Sequence, residues 1–252
     1  MKVRLALLLP FLATPSTGFA EHSFMEACRK GFHEQNPGFA TVAFLTASVR
    51  KNACADALPE LGRRTDFDLS RAKHLRSLEP LWDFTQLVLL DVQGSIESLR
   101  GIYRLQQLKE LSIEVKLDAL SFADVVRLQH LHKLRIMGQR TLLALDWTLL
   151  THLRQLKVLQ LARAKIETLD FLSALPPGLE HLDLSENQIR RWPAYHLPSV
   201  RFLNLTGNDL ESLENLDSLT NLQLLDLRGN PRITPTQVGE LARRLPQTKI
   251  TL

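Results

Sequence analysis

Residues 179–187 read LEHLDLSEN, residues 200–208 VRFLNLTGN and residues 222–230 LQLLDLRGN. All three follow one pattern: an apolar residue, two variable positions, Leu, one variable position, Leu, two variable positions, Asn. The copies start at Leu179, Val200 and Leu222, which lie 21 and 22 residues apart. Two Leu spaced by two suit a strand with one buried face, because side chains alternate across a strand. Asn187, Asn208 and Asn230 fall where the chain turns away from that strand. A carboxamide carries two donors and an acceptor, so it can satisfy backbone groups of its own coil and of the neighbouring one, as a ladder. One unit cannot bury its apolar face alone; units stacked in parallel make a continuous core.

The register continues upstream. LKVLQL starts at Leu156, LHKLRI at Leu131, LKELSI at Leu108 and LVLLDV at Leu87, and a degenerate copy from Arg64 holds Phe67 and Leu69 at the two Leu positions. Successive starts are 23, 21, 23, 25, 23, 21 and 22 residues apart. Apolar residues also recur between the strands at steps of about three, as in Ile96, Leu99 and Ile102, or Leu210, Leu213 and Leu216. They predict 3₁₀ turns or coil packed on the core from the outer side, with Trp82, Trp147 and Trp192 among them. The extra residues of the copies from Leu108 and Leu131 are expected on that side or in loops. Ala72, Ser95, Lys116, Gln139 and Ala164 stand where Asn is expected. The ladder should therefore be complete only in the last three copies, and the first half should be more irregular.

On these motifs the chain resembles leucine-rich repeat proteins of the 22-residue class, and especially exported bacterial ones such as the internalins. The resemblance covers about residues 64–252. It implies an α/β solenoid, right-handed and curved, with a parallel sheet on the concave side and 3₁₀ or irregular structure on the convex side. It also implies binding of other proteins.

The flanks of the repeats differ from them. Residues 1–20 read MKVRLALLLPFLATPSTGFA, with basic Lys2 and Arg4, an apolar run from Leu5 to Ala13, and small residues before a cleavage point after Ala20. This is the pattern of a secretory signal peptide, too short to span a bilayer. No later stretch is long and apolar enough to span one, so the mature protein is expected in the periplasm or secreted. Residues 21–63 predict a helical cap. One helix starts at a Ser23 N-cap with Glu26 three residues on and stops at Gly31; Asn36-Pro37-Gly38 is a turn; a second helix runs from Thr41 to Ala57, closed by Pro59. Cys28 and Cys54 are the only cysteines, and an exported chain with one nearby pair most simply joins them. Repeats then occupy 64–233, in about eight copies. Residues 234–252 form a second cap, with Thr234-Pro235 opening a helix over Gln237–Leu245, and Gln247, Ile250 and Leu252 matching a last strand.

Strand alternation fixes which residues line the concave face. The positions between the two Leu are Asp68, Asp91, Ser112, Arg135, Gln160, Asp183, Asn204 and Asp226. The positions before the first of them are Asp66, Leu89, Glu110, Lys133, Val158, His181, Phe202 and Leu224. A bare scaffold has no need of Leu89, Val158, Phe202 and Leu224 there, whereas mixed apolar and charged rows suit a protein-binding surface. Cross-strand ladders also favour such residues, which is the competing explanation. A central patch of His132, Lys133, Arg135, Lys157 and Val158 is expected because residues 127–165 hold eight basic residues and one acidic, while 166–230 hold ten acidic and four basic.

Without Lys2 and Arg4, 29 basic and 27 acidic residues remain, a formal +2, which gives no ground for a nucleic-acid partner. No nucleophile-elbow, phosphate-loop or HExxH motif is present, and His130-x-His132 without nearby Cys or carboxylates is weak grounds for a metal. No cofactor, metal or catalytic residue is expected. The sequence therefore points to a non-enzymatic protein-binding module whose partner and oligomeric state it does not name. The alternatives are the substrate-recognition part of an enzyme or effector system, a carbohydrate or cell-envelope binder, and a structural part of an envelope assembly.

Overall fold

A computed structural model describes residues 20–30, 38–72, 74–94, 96–114, 117–138 and 145–252. The expected leader over 1–20 lies outside them except for Ala20, as do Gly31, Asn36, Pro37, Ser95, Lys116 and Gln139.

Nine strands, one per copy and one in the final cap, form a single parallel sheet in strict chain order. They are β1 (Asp66–Asp68), β2 (Leu89–Gln93), β3 (Glu110–Glu114), β4 (Lys133–Ile136), β5 (Val158–Gln160), β6 (His181–Asp183), β7 (Phe202–Asn204), β8 (Leu224–Asp226) and β9 (Lys249–Thr251). The register pairs Phe67, Leu90, Leu111, Leu134, Leu159, Leu182, Leu203, Leu225 and Ile250 across all nine. From Phe67 to Leu225 this column is fully buried, and with the second Leu column it is the spine of one continuous core. This is the leucine-rich repeat solenoid.

The return segments carry 3₁₀ turns at Glu79–Leu81, Ile102–Arg104, Trp147–His152, Asp170–Ala174 and Leu216–Ser218. The copy from Leu108 departs from expectation with a true α-helix, α4 (Ala119–Val125). Asp118 caps α4 by accepting the Ser121 amide at 2.7 Å. Trp82 and Trp192 are buried; Trp147 is half-buried and packs between Phe122 and Phe171, with centroids at 5.4 and 5.2 Å. Gly101 sits at φ 93°, and a Cβ there would come within 2.7 Å of the Trp82 ring.

The N-terminal cap corrects the sequence expectation in three places. Helix α1 (Ala20–Lys30) already includes Ser23, so Ser23 is not its cap; Ala20 and Glu21 are good helix formers and carry the helix back past it. The expected long second helix is two, α2 (Phe39–Ser48) and α3 (Cys54–Leu61), because Arg50 takes φ 56° and turns the chain between them. Pro59 lies inside α3, where a two-turn helix gives up only one bond to it. Cys28 and Cys54 are disulfide-bonded, with Cα atoms 6.4 Å apart. Phe24 of α1 is fully buried and meets Phe84 edge-on at 5.6 Å, so the cap closes the open end of the core.

At the other end, α5 (Pro235–Arg244) opens with a full capping box between Thr234 and Gln237. β9 stops at Thr251, and Leu252 is 47% exposed rather than buried. No described element packs beyond β9 to cover it.

The Asn ladder forms where it is expected. Asn187 Nδ2 donates to the carbonyls of Leu161 and Leu184, and its Oδ1 accepts the amides of Ala164 and Ile166. Asn208 repeats this with Leu184, Leu205 and Ile189, and Asn230 with Leu205, Leu227 and Leu210. The preceding residue takes a left-handed backbone in each case, at Glu186, Gly207 and Gly229.

Candidate functional site

The two concave rows lie in the sheet as sequence alternation places them. Asp66, Leu89, Glu110, Lys133, Val158, His181, Phe202 and Leu224 align across paired strands, and so do Asp68, Asp91, Ser112, Arg135, Gln160, Asp183, Asn204 and Asp226. His132 and Lys157 do not belong to either row. Each sits one residue ahead of its strand, on the edge where Lys157 meets Glu180 at 2.9 Å.

Exposure changes along the first row. Leu89 is 37% exposed between the exposed carboxylates of Asp66 and Glu110. From Lys133 to Leu224 the row is half-buried. The rings of His181 and Phe202 account for part of this, stacking at 4.2 Å with planes 13° apart. Sequence reasoning placed both residues in one row without pairing them; their spacing of 21 is the signal, since it is one repeat.

In the second row, four side chains have a local structural task. Asp68, Asp183, Asn204 and Asp226 each accept the backbone amide two residues on, from Ser70, Ser185, Thr206 and Arg228. Such Asx turns close a strand. They close β1, β6, β7 and β8, each three residues long; β2 and β3 lack the turn and run for five, and β5 is equally short with Gln160 at this position.

Two carboxylates of this row are shifted in opposite directions. Arg228 grips both oxygens of Asp226, at 2.9 and 2.6 Å, and holds that carboxyl below the usual carboxylate range. Burial, then the neighbouring Asp68, pushes the Asp91 carboxyl above it, although Arg135 and hydrogen bonds from Ser112 and Gln93 act the other way. Oδ1 of Asp91 is buried without a partner among the described residues.

Charge that is segregated in the sequence is partly closed up in space. Lys133 meets Glu110 at 3.5 Å, Lys157 meets Glu180, and Arg163 makes a two-point contact with Glu186 at 2.7 and 2.8 Å. These pairs span one repeat, so the basic middle leans on its acidic neighbours. Exposed pairs of this kind contribute little to stability, because water and salt screen them.

Residues 177–215 and 198–242 match a family model described as leucine-rich repeats in two copies, and residues 129–189 match a second described as a leucine-rich repeat. A curated relative, a leucine-rich repeat and WD repeat-containing protein 1 from Danio rerio, is 33% identical over 117 residues, or 44% of this chain. The chain covers 15% of that protein's length. Two solved internalins from Listeria monocytogenes share the fold. Internalin C2 is 20% identical with a TM-score of 0.60, over 82% of this chain and 90% of that one. Another internalin is 24% identical with a TM-score of 0.57, over 77% of this chain and 62% of that one.

Proposed function

We propose that this leucine-rich repeat protein is a non-enzymatic binding module that grips another protein through its concave face. Repeat solenoids of this kind commonly serve as interaction scaffolds, because stacking leaves one long, regular surface for contacts. One observation carries the proposal. Leu89, Val158, Phe202 and Leu224 stay partly open to solvent in one row with Glu110 and Lys133, beside a second row of charged and amide side chains. Cross-strand pairing accounts for part of this row, but solvent-open apolar side chains flanked by polar ones are also how an interface core with a polar rim is built.

We further propose that the chain works outside a reducing compartment. The leader-like residues 1–20 and the Cys28–Cys54 disulfide support this, since disulfides persist in oxidising surroundings. Among the described residues no helix is long and apolar enough to cross a membrane.

The test is capture of the partner in the native host by crosslinking, followed by comparison with a Phe202→Ala, Leu224→Ala variant. The expected result is one captured protein, lost in the variant while the melting temperature holds. Lys133→Glu with Arg135→Glu should also weaken capture. Equal capture by all three chains rejects the concave face.

A further inference from the structure

Over β5 to β8 the two concave rows become the walls of one shallow groove of about 260 Å³, with Leu182 and Leu203 also lining it. One wall is apolar and aromatic: Val158, the stacked His181 and Phe202, and Leu224. The other is polar: Gln160, Asp183, Asn204 and Asp226. No Lys or Arg lines the groove.

The polar wall is unevenly satisfied. Asn204 spends Oδ1 on the Thr206 amide at 3.0 Å. Asp226 accepts the Arg228 amide at 3.2 Å and, with both oxygens, the Arg228 guanidinium. A carboxylate at this place in the repeat can therefore close its own turn and hold a guanidinium at once. Asp183 closes the same turn, accepting the Ser185 amide through Oδ1 at 2.9 Å. Two residues on it has Ser185 in place of an arginine, and no described hydrogen bond uses its Oδ2. Gln160 faces it across the β5–β6 pairing.

Resting on the concave-face proposal, we infer that this groove receives an arginine side chain from an exposed segment of the protein partner. Its aliphatic stem lies along Val158 and the His181–Phe202 stack, and its guanidinium sits on Asp183, as Arg228 sits on Asp226. Arginine fits better than lysine because its planar fork matches a carboxylate at two points and packs on aromatic rings.

Random peptides displayed on phage, panned against the intact chain, test this. The recovered binders should share an arginine, and citrulline in its place should weaken binding about tenfold or more, the usual cost of removing a charge-assisted hydrogen bond. Asp183→Asn should weaken them to a similar degree with melting unchanged, since Asn204 shows that an amide closes the same turn. Ser185→Arg should block them by supplying the guanidinium within the chain. Binders without arginine that are lost on Phe202→Ala would remove this inference and leave the concave face standing. Arginine binders indifferent to Asp183→Asn, Ser185→Arg and Phe202→Ala would remove both. Recovery of no binder beyond those of the Ser185→Arg chain overturns the inference.

Discussion

Asn187 donates to the carbonyl of Leu161, a full repeat upstream, at 2.8 Å. The same side chain accepts the amides of Ala164 and Ile166 at 3.0 and 3.1 Å, so it completes a coil that has Ala164 where an Asn is expected. Asn208 is backed up differently. The carbonyls of Leu184 and Leu205, to which it donates, also accept from Asn187 and Asn230.

The two are therefore unequal. Asn187→Ala strands the Leu161 carbonyl and two buried amides, whereas Asn208→Ala strands chiefly the Ile189 amide. At the usual cost of unsatisfied buried groups, Asn187→Ala should destabilise by about 2–4 kcal/mol and Asn208→Ala by about 1–2 kcal/mol. Urea unfolding of both variants measures this, and the reverse order would contradict it.

The disulfide should act locally. In the chain-entropy model, closing a loop with a sequence separation of 26 contributes about 3.5 kcal/mol. Reduction should release α1, uncover the Phe84 edge of the core, and leave β5–β8 protected. Hydrogen exchange before and after reduction checks it. Equal loss of protection over the whole sheet would show that the cap and the repeats unfold as one unit instead.

Asp91 gives a pH dependence with a definite sign. Its folded pKa is raised, first by burial and then by Asp68, so the ionised carboxylate opposes folding at neutral pH. That penalty is relieved as pH falls through the raised value and is gone below the ordinary carboxylate pKa. Asp91→Asn should therefore raise the melting temperature at pH 7, and the gain should shrink toward pH 4. A gain that grows on acidification would mean that burial is not what shifts Asp91.

The solenoid was legible in the sequence because its repeats are strict where the chemistry is strict. Leucines two apart, recurring every 21–25 residues, admit one register, and the pairing from Phe67 to Ile250 follows it. The caps were less legible because they obey local signals with competitors. Ser23 has capping chemistry, but the residues before it also favour helix; Arg50 breaks a helix through a backbone angle that no motif announces. In the site, the rows could be read and their internal bonds could not. That Asp68, Asp183, Asn204 and Asp226 each accept the amide two residues on is a contact that alternation does not encode. The pairs Lys133–Glu110 and Arg163–Glu186 were open to discovery, since each lies one repeat apart with opposite charge.

Site-specific photo-crosslinking in the native host tests the central claim most directly. One chain carries the photoreactive residue at Leu224 on the concave face; a second carries it at Leu120, which is 61% exposed on α4 in a return segment. A discrete protein adduct from position 224 and none from position 120 is the expected result. An adduct from position 120 alone would place the partner on the opposite side of the solenoid and contradict concave-face binding.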